Sequence, residues 1–249
     1  MRIAACIKRV AQLDDDIEFV DGGRDVDPDY LDFGLNEWDS YAMEEALRLR
    51  EAHGGEVLAV TVGDDASDEQ LQHCLAMGAD RAIRGWSDAL AGVHDPFLIA
   101  RGLAAAIGTA DLILCGAQSS DSVQGATGGA LAGVLDLPCV AIVTRVEIVD
   151  DAARVHRELE GGVVDVVEIT LPAVLTIQTG INEPRYVTLR AIQEARGRNI
   201  DVVDPGDLGR PAYRVQKMLV PERARAASLG DDAGEVARRI IEMVREGAQ

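Results

Sequence analysis

Positive charge is scarce in this sequence. Against 43 Asp and Glu stand 24 Lys and Arg, with lysine only at Lys8 and Lys217, for a formal net charge of −19. A surface that binds nucleic acid needs a basic footprint, so that class of partner is excluded. What the charge supplies is solubility and steering of basic partners. Long apolar runs are also missing. None reaches the roughly 20 residues of a spanning helix, which predicts no membrane insertion. The first run, Ile3-Ala-Ala-Cys-Ile7, is too short for the apolar region of a secretory signal, and Lys8-Arg9 follows it in place of a cleavage site. The expectation is a cytoplasmic, bacterial protein. The four cysteines, Cys6, Cys74, Cys115 and Cys139, form no CxxC pair. The neighbours His73 and Cys74 lack the second Cys/His pair that a metal site needs, so no metal is expected. Nor do His53, His73, His94 and His156 fall into a nucleophile–base pattern.

Apolar residues, by contrast, make up 47% of the 249 positions, laid out in short runs. Residues 2–7 have no polar alternation and read as a buried strand. Further strands are expected at 56–63, 80–83, 110–115, 139–148 and 173–179. Helical segments fall between them. Asn36 is placed to cap a helix over 37–49 in which Glu44 and Arg48 are an i,i+4 pair, and Gly54-Gly55 ends it. A second helix covers 65–78. His94-Asp95-Pro96 opens a third, with Pro just inside the start. A fourth ends at Pro138. Residues 9–35 read as irregular, with a tight turn at Gly22-Gly23. Strands and helices alternating at this spacing predict an α/β fold: a mostly parallel, doubly wound sheet with helices on both faces. After residue 150 the pattern changes. Residues 154–160 and 163–170 read as an antiparallel hairpin turning at Gly161-Gly162. Residues 197–232 show little periodicity. A C-terminal helix over 233–246, striped by Val236, Ile240, Ile241 and Val244, needs its own domain or a partner subunit to pack on.

One stretch organises the rest: Leu112-Ile-Leu-Cys-Gly116, then a loop of Ser, Gly and Asp, then an Ala/Leu helix from about residue 127. In an open parallel sheet, ligands collect where strand ends meet helix starts. Ser119, Ser120, Ser122 and Thr127 offer hydroxyls. Gly125, Gly128 and Gly129 let backbone amides come close, and the helix start favours an anion. This reads as a nucleotide-phosphate cradle. It reads equally as a turn whose small residues pack a helix tightly on a sheet, and the stretch alone leaves both open.

The whole chain resembles the beta subunit of an electron-transfer flavoprotein. The residues that carry the resemblance are Arg157-Glu-Leu-Glu-Gly-Gly, Leu171-Pro-Ala-Val-Leu-Thr and Ile181-Asn-Glu-Pro-Arg-Tyr-Val-Thr-Leu189-Arg-Ala-Ile192. Ala-Cys-Ile-Lys-Arg at 5–9, Ala-Met-Glu-Glu-Ala at 42–46 and Met77-Gly-Ala-Asp80-Arg81 add to it. The resemblance implies an electron-carrier subunit without catalytic residues of its own. It also implies an obligate heterodimer with an alpha subunit that holds most of the FAD, and a structural AMP in this chain. Flavin-containing dehydrogenases would be the donors and a quinone oxidoreductase the acceptor. Residues 1–195 would form the adenine-nucleotide-binding α/β domain, including a recognition loop at about 183–195, and 196–249 an arm and helix packing on the alpha subunit.

By the same resemblance AMP falls to Cys6, Asn36, Asp39, Val62, Gly116, Gln118, Ser119, Ser120, Asp121, Gln124, Gly125, Ala126, Thr127 and Gly128. Leu13 and Trp38 would lie near FAD, and Arg185, Tyr186, Leu189, Arg190 and Ile192 would dock the partner, with Leu189 as apolar anchor. Electron-bifurcating relatives hold a second FAD, with NADH nearby, on a loop of Asp-Gly-x-Thr-x-Gln-x-Gly type. Here the run is Asp121-Ser-Val-Gln-Gly-Ala-Thr-Gly128, with no Asp-Gly and without the Gln that precedes the closing Gly, which favours AMP. The Ser-Ser-Asp loop is most similar to forms that serve methylated-amine dehydrogenases. A stand-alone adenine-nucleotide-binding or ATP-cleaving protein is the competitor from another class.

Overall fold

The computed structural model describes residues 1–12, 17–220 and 229–247. A nine-stranded sheet runs through the larger of two units, Met1–Met218. Its strands are β1 (Arg2–Cys6), β4 (Glu56–Val62), β5 (Arg81–Gly85), β6 (Leu112–Gly116), β7 (Cys139–Val149), β8 (Ala152–Leu159), β9 (Val163–Thr170), β10 (Ala173–Ile177) and β11 (Ile200–Val203). The order is β11-β5-β4-β1-β6-β10-β7-β8-β9. Every pairing from β11 to β7 is parallel; β7-β8 and β8-β9 are antiparallel. The expected α/β architecture is therefore present, and the hairpin at Gly161 and Gly162 extends the same sheet. Both glycines have positive φ, 78° and 73°, a turn conformation that favours residues without a Cβ.

The two faces are covered by different helices. Helices α1 (Glu37–His53) and α2 (Asp68–Met77) pack with Ile3 and Ala5; α3 (Pro96–Ile107) and α4 (Thr127–Leu135) pack with Ala4 and Cys6. Successive side chains of β1 thus serve opposite cores. With both faces covered, its sequence carries no polar alternation. Helix α3 begins as its sequence suggests: Asp95 accepts from the Phe97 amide at 2.9 Å and Pro96 stands inside the first turn. A short α5 (Leu189–Ala195) contacts α2. The second unit, Leu219–Gln249, contains α6 (Ala233–Gly247).

Three segments differ from the sequence reading. Within the stretch read as irregular, β2 (Arg9–Gln12) and β3 (Asp32–Leu35) form a separate antiparallel ladder, with the Arg9 guanidinium 3.4 Å from the Phe33 ring centroid. Four-residue strands are too short to show a period. Residues 65–78 divide into a 3-10 turn, Asp65–Ser67, and α2. The aperiodic segment after 197 supplies edge strand β11. Its residues beyond β11 run to α3, where Leu208 is buried with Leu90 and Leu98.

The order of the strands locates a crevice. The chain goes from β1 outward to β4 and β5, then returns to the other side of β1 as β6. Beyond the carboxyl ends of β1 and β6 the connecting segments diverge, which is where an open α/β sheet takes its ligand.

Candidate functional site

The crevice between β1 and β6 is tied to the first turn of α1. Asp39 accepts the Lys8 amide on Oδ2 at 2.8 Å and the Gly116 amide on Oδ1 at 3.0 Å. Asn36 donates from Nδ2 to the Gln118 carbonyl at 2.8 Å, and its Oδ1 accepts the Ser120 amide at 3.2 Å. The sequence assigns Asn36 to capping α1. It does stand at the N-cap position, but its side chain makes no cap hydrogen bond. Its amide group matches a loop carbonyl and a loop N–H more than eighty residues away, and these use both of its polar atoms. Gly116 is required by the same packing: a Cβ there would overlap Asp39 Oδ1 and lie 2.7 Å from Trp38 Cβ.

The loop from Ala117 to Ala126 is held from below. Lys8 Nζ donates to Asp121 Oδ1 at 2.6 Å and to Ser119 Oγ at 3.3 Å, and the hydroxyls of Ser119 and Ser122 are 2.8 Å apart. Burial opposes the Asp121 charge, but the Lys8 ammonium, the Ser119 hydroxyl and the Ser122 amide together hold this carboxyl below its ordinary range. Val123 is left-handed at φ 52°, a strained choice for a β-branched residue, and Gly125 follows at φ 59°. The loop then enters α4 through Ala126, which has no side chain able to cap. Among the described residues no side chain claims the first amides of α4. Gly128 brings that turn hard against Thr176 of β10, while among the described residues nothing lies within 4 Å of a Cβ position at Gly129. Uncapped amides, the hydroxyls of Ser119, Ser122 and Thr127, and the Lys8 ammonium are a donor set that fits a phosphate.

Other expected residues fall around this crevice with distinct roles. Cys6 ends β1 beside Cys115 of β6, and its buried thiol faces the α3–α4 core, so only its backbone can meet a ligand. Val62 ends β4, and its side chain packs on Gly102 of α3. Gln124 hydrogen-bonds the Tyr213 hydroxyl at 2.9 Å, turned toward the segment after β11. Trp38 donates from its indole to Gln178 Oε1 at 3.2 Å. Leu13 lies outside the described residues. The sequence reading passed over Lys8, Thr176, Gln178 and Tyr213 as parts of this neighbourhood. Thr176 and Gln178 had a signal: two polar residues, two apart, at the carboxyl end of an otherwise apolar strand.

A second set of residues lies along α1. Arg185 points inward: it donates from Nε at 2.8 Å and Nη2 at 3.0 Å to the buried carboxylate of Glu44, and from Nη1 at 2.8 Å to Glu51. Its own amide also donates to Glu44 at 3.1 Å. Asn182 donates to Glu45 at 2.9 Å and to the Tyr41 carbonyl at 3.1 Å. Tyr186 and Leu189 follow directly and project at 87% and 76% exposure. Thr188 caps α5 by accepting the Ala191 amide. Arg190 pairs with Glu194 on the surface, and Ile192 is half-buried. Arg198 donates to the carbonyls of Ala79 and Asp80 just past α2. The loop is thus a rigid base bearing exposed apolar side chains.

Among the described residues no group of three His, Cys, Asp or Glu could hold a metal ion, and no helix is long and apolar enough to cross a membrane. Residues 26–208 match the family described as "Electron transfer flavoprotein domain". The chain is 40% identical to the electron transfer flavoprotein subunit beta of Methylophilus methylotrophus, covering 99% of this chain and 98% of that protein. It is 30% identical to the Bacillus subtilis subunit beta, over 100% and 99%, and 37% identical to the human one, over 84% and 83%.

Proposed function

The chain belongs to the electron transfer flavoprotein beta-subunit family, and from that premise we propose that it pairs with an alpha subunit, holds AMP in the β1–β6 crevice and offers the Leu189 loop to flavin-containing dehydrogenases. The observation that carries this reading is the cradle itself. Its backbone amides, hydroxyls and one ammonium suit a phosphate, and no nucleophile–base pair stands among them to cleave one. Lys8, Ser119, Ser122, Thr127 and the first amides of α4 would take the phosphate. The backbone at Cys6 and Val62 would face the base. AMP contributes fixed negative charge and packing. FAD, held mainly by the alpha subunit, supplies the redox chemistry. This chain's part is to complete that site beside Trp38 and Leu13, with the arm from about residue 196, ending in α6, packing on the alpha subunit. Electrons would leave for a quinone oxidoreductase, and the setting would be the bacterial cytoplasm. Electron transfer asks of the protein position and electrostatics rather than an acid–base pair on this chain.

The nucleotides released on denaturing the co-expressed complex test the reading. One FAD and one AMP per heterodimer are expected. Two FAD would replace this reading with a bifurcating subunit, and ATP hydrolysis by the isolated chain would replace it with a nucleotide-cleaving protein.

Docking has its own test. Leu189 is exposed on a base fixed by Arg185 and Asn182, so Leu189→Ala removes an anchor without loosening the fold. Reduction of the complex by its dehydrogenase should need roughly thirty-fold more protein, the ~2 kcal/mol of an interface anchor, while FAD and AMP content stay constant. Unchanged reduction kinetics would reject Leu189 as the anchor.

A further inference from the structure

Asp39 lies in the first turn of α1 at 6% exposure, and among the described residues it forms no ion pair. Both of its oxygens accept main-chain amides from other elements: Lys8, two residues beyond β1, and Gly116, the last residue of β6. Three segments far apart in the chain meet at one carboxylate, at the mouth of the crevice. For stability alone this is a poor choice, because an apolar side chain could fill the volume without desolvating a charge. Gly116, which has no room for a Cβ against Oδ1, is fitted to it.

We propose that Asp39 is the positioning residue of the nucleotide cradle: its carboxylate clamps the ends of β1 and β6 to the start of α1 and so sets the width of the crevice in which AMP is held. This rests on the reading of the cradle as an AMP site. The clamp needs both oxygens as acceptors. A protonated carboxyl keeps its carbonyl oxygen as a full acceptor, but its hydroxyl oxygen accepts more weakly, so the bond to either Lys8 or Gly116 is loosened. Burial pushes the Asp39 carboxyl up to about 7, against the Asn36 amide, the Lys8 and Gly116 N–H groups and the Lys8 charge. Lys8, from the end of β1, is the positive group facing it, and Lys8 is itself paired with Asp121 of the loop. Cys74 of α2 and Cys115 of β6 also face it as neutral thiols, raised mainly by burial and by the neighbouring Cys6, respectively.

Two opposite pH trends follow. A carboxyl raised in the folded state binds its proton more tightly there than in the unfolded chain, so the Asp39 contribution to folding stability increases as pH falls from about 7 toward about 4. AMP affinity, which needs the ionised clamp, decreases as pH falls through 7. A merely structural role would move both the same way.

The test measures AMP binding to the nucleotide-stripped complex of this chain with its alpha partner at pH 8 and pH 6, for the native chain and Asp39→Asn. The variant keeps the side-chain volume, can accept only one of the two amides, and does not titrate. The native complex should lose roughly tenfold more affinity than the variant over this interval, since about a tenth of Asp39 remains ionised one unit below its pKa. The variant should start weaker at pH 8 and follow only the titration of the phosphate near pH 6. Equal affinity of the native complex and Asp39→Asn for AMP at pH 8 overturns the role of Asp39 while leaving the AMP reading intact. Failure of the native complex to bind AMP at either pH overturns the AMP reading and the clamp with it. Adenosine 5′-sulfate, whose anion does not titrate here, isolates the protein's contribution: a roughly tenfold greater loss in the native complex than in Asp39→Asn between pH 8 and pH 6 supports the clamp, and equal binding of this ligand by the two proteins at pH 8 overturns it.

Discussion

Gly116→Ala is expected to lower the melting temperature of the chain by roughly 6–12 °C and to leave the purified complex without AMP. The added methyl would overlap Asp39 Oδ1 and lie 2.7 Å from Trp38 Cβ and 3.0 Å from the Asp39 amide. Two of those three atoms are fixed by the first turn of α1, and the third accepts the Gly116 amide itself. Relief therefore requires moving the helix start away from the sheet. Overpacking of this kind costs about 3 kcal/mol at the upper end of its usual range, and a chain of this size loses roughly 2–4 °C per kcal/mol. The same displacement opens the crevice, because Asn36 and Asp39 hold the loop and both strand ends from that turn. Gly133→Ala is the control: it lies within α4, where among the described residues nothing stands within 4 Å of the new methyl, and it should be neutral or slightly stabilising. A melting temperature within 2 °C of the native value for Gly116→Ala would show that the strand end and helix start are not held as described.

The second large effect is expected from Arg185→Met, which should destabilise the chain by about 3 kcal/mol. Glu44 is 4% exposed and receives three hydrogen bonds from Arg185, two from its guanidinium and one from its amide. Removing the guanidinium leaves this buried carboxylate with the residue-185 amide at 3.1 Å and the longer contact to Arg48 at 3.5 Å, and a buried charge stripped of its close cation costs about 3–5 kcal/mol. The lower figure applies because the Arg185 side chain is 31% exposed, so water reaches one side of the pair. Adding Glu44→Gln to Arg185→Met should recover part of the loss. A charge imbalance predicts this sign of coupling in a double-mutant cycle, whereas simple loss of packing predicts additivity. Urea unfolding of the four proteins settles it, and a strictly additive cycle would reject the buried pair as the cause. The loop bearing Leu189 sits on this pair, so the variant should also couple poorly to a dehydrogenase even where it remains folded.

Much of the architecture was legible because its signals are local. Ile3 through Cys6 are apolar without alternation, and the strand is buried on both faces. Asp95-Pro96 marks a helix start within three residues. Gly161-Gly162 turns a hairpin whose two strands have matching patterns. The strand-to-helix passage at Gly116–Thr127 could be located from composition alone, and strand order then placed it at the reversal beside β1. The short β2–β3 ladder and β11 were not legible, since four residues cannot display a period and their partners decide whether they pair.

Asn36 shows where the local reading ends. Its position before a helix correctly marked the helix start, but its side chain serves Gln118 and Ser120 instead. Arg185 reads in the sequence as one more surface cation near Leu189, yet its guanidinium meets two glutamates on a helix laid down some 140 residues earlier. Lys8, near the N-terminus, reaches Asp121 across 113 positions. The sequence by itself determined the longer strands and helices and the order in which they alternate, because the forces that decide those act within a turn or two. Only the tertiary structure decided which carboxylate faces which cation or amide, because those pairs exist once β1, β6 and α1 stand side by side, and nothing near Asp39 in the chain marks it as the residue that joins them.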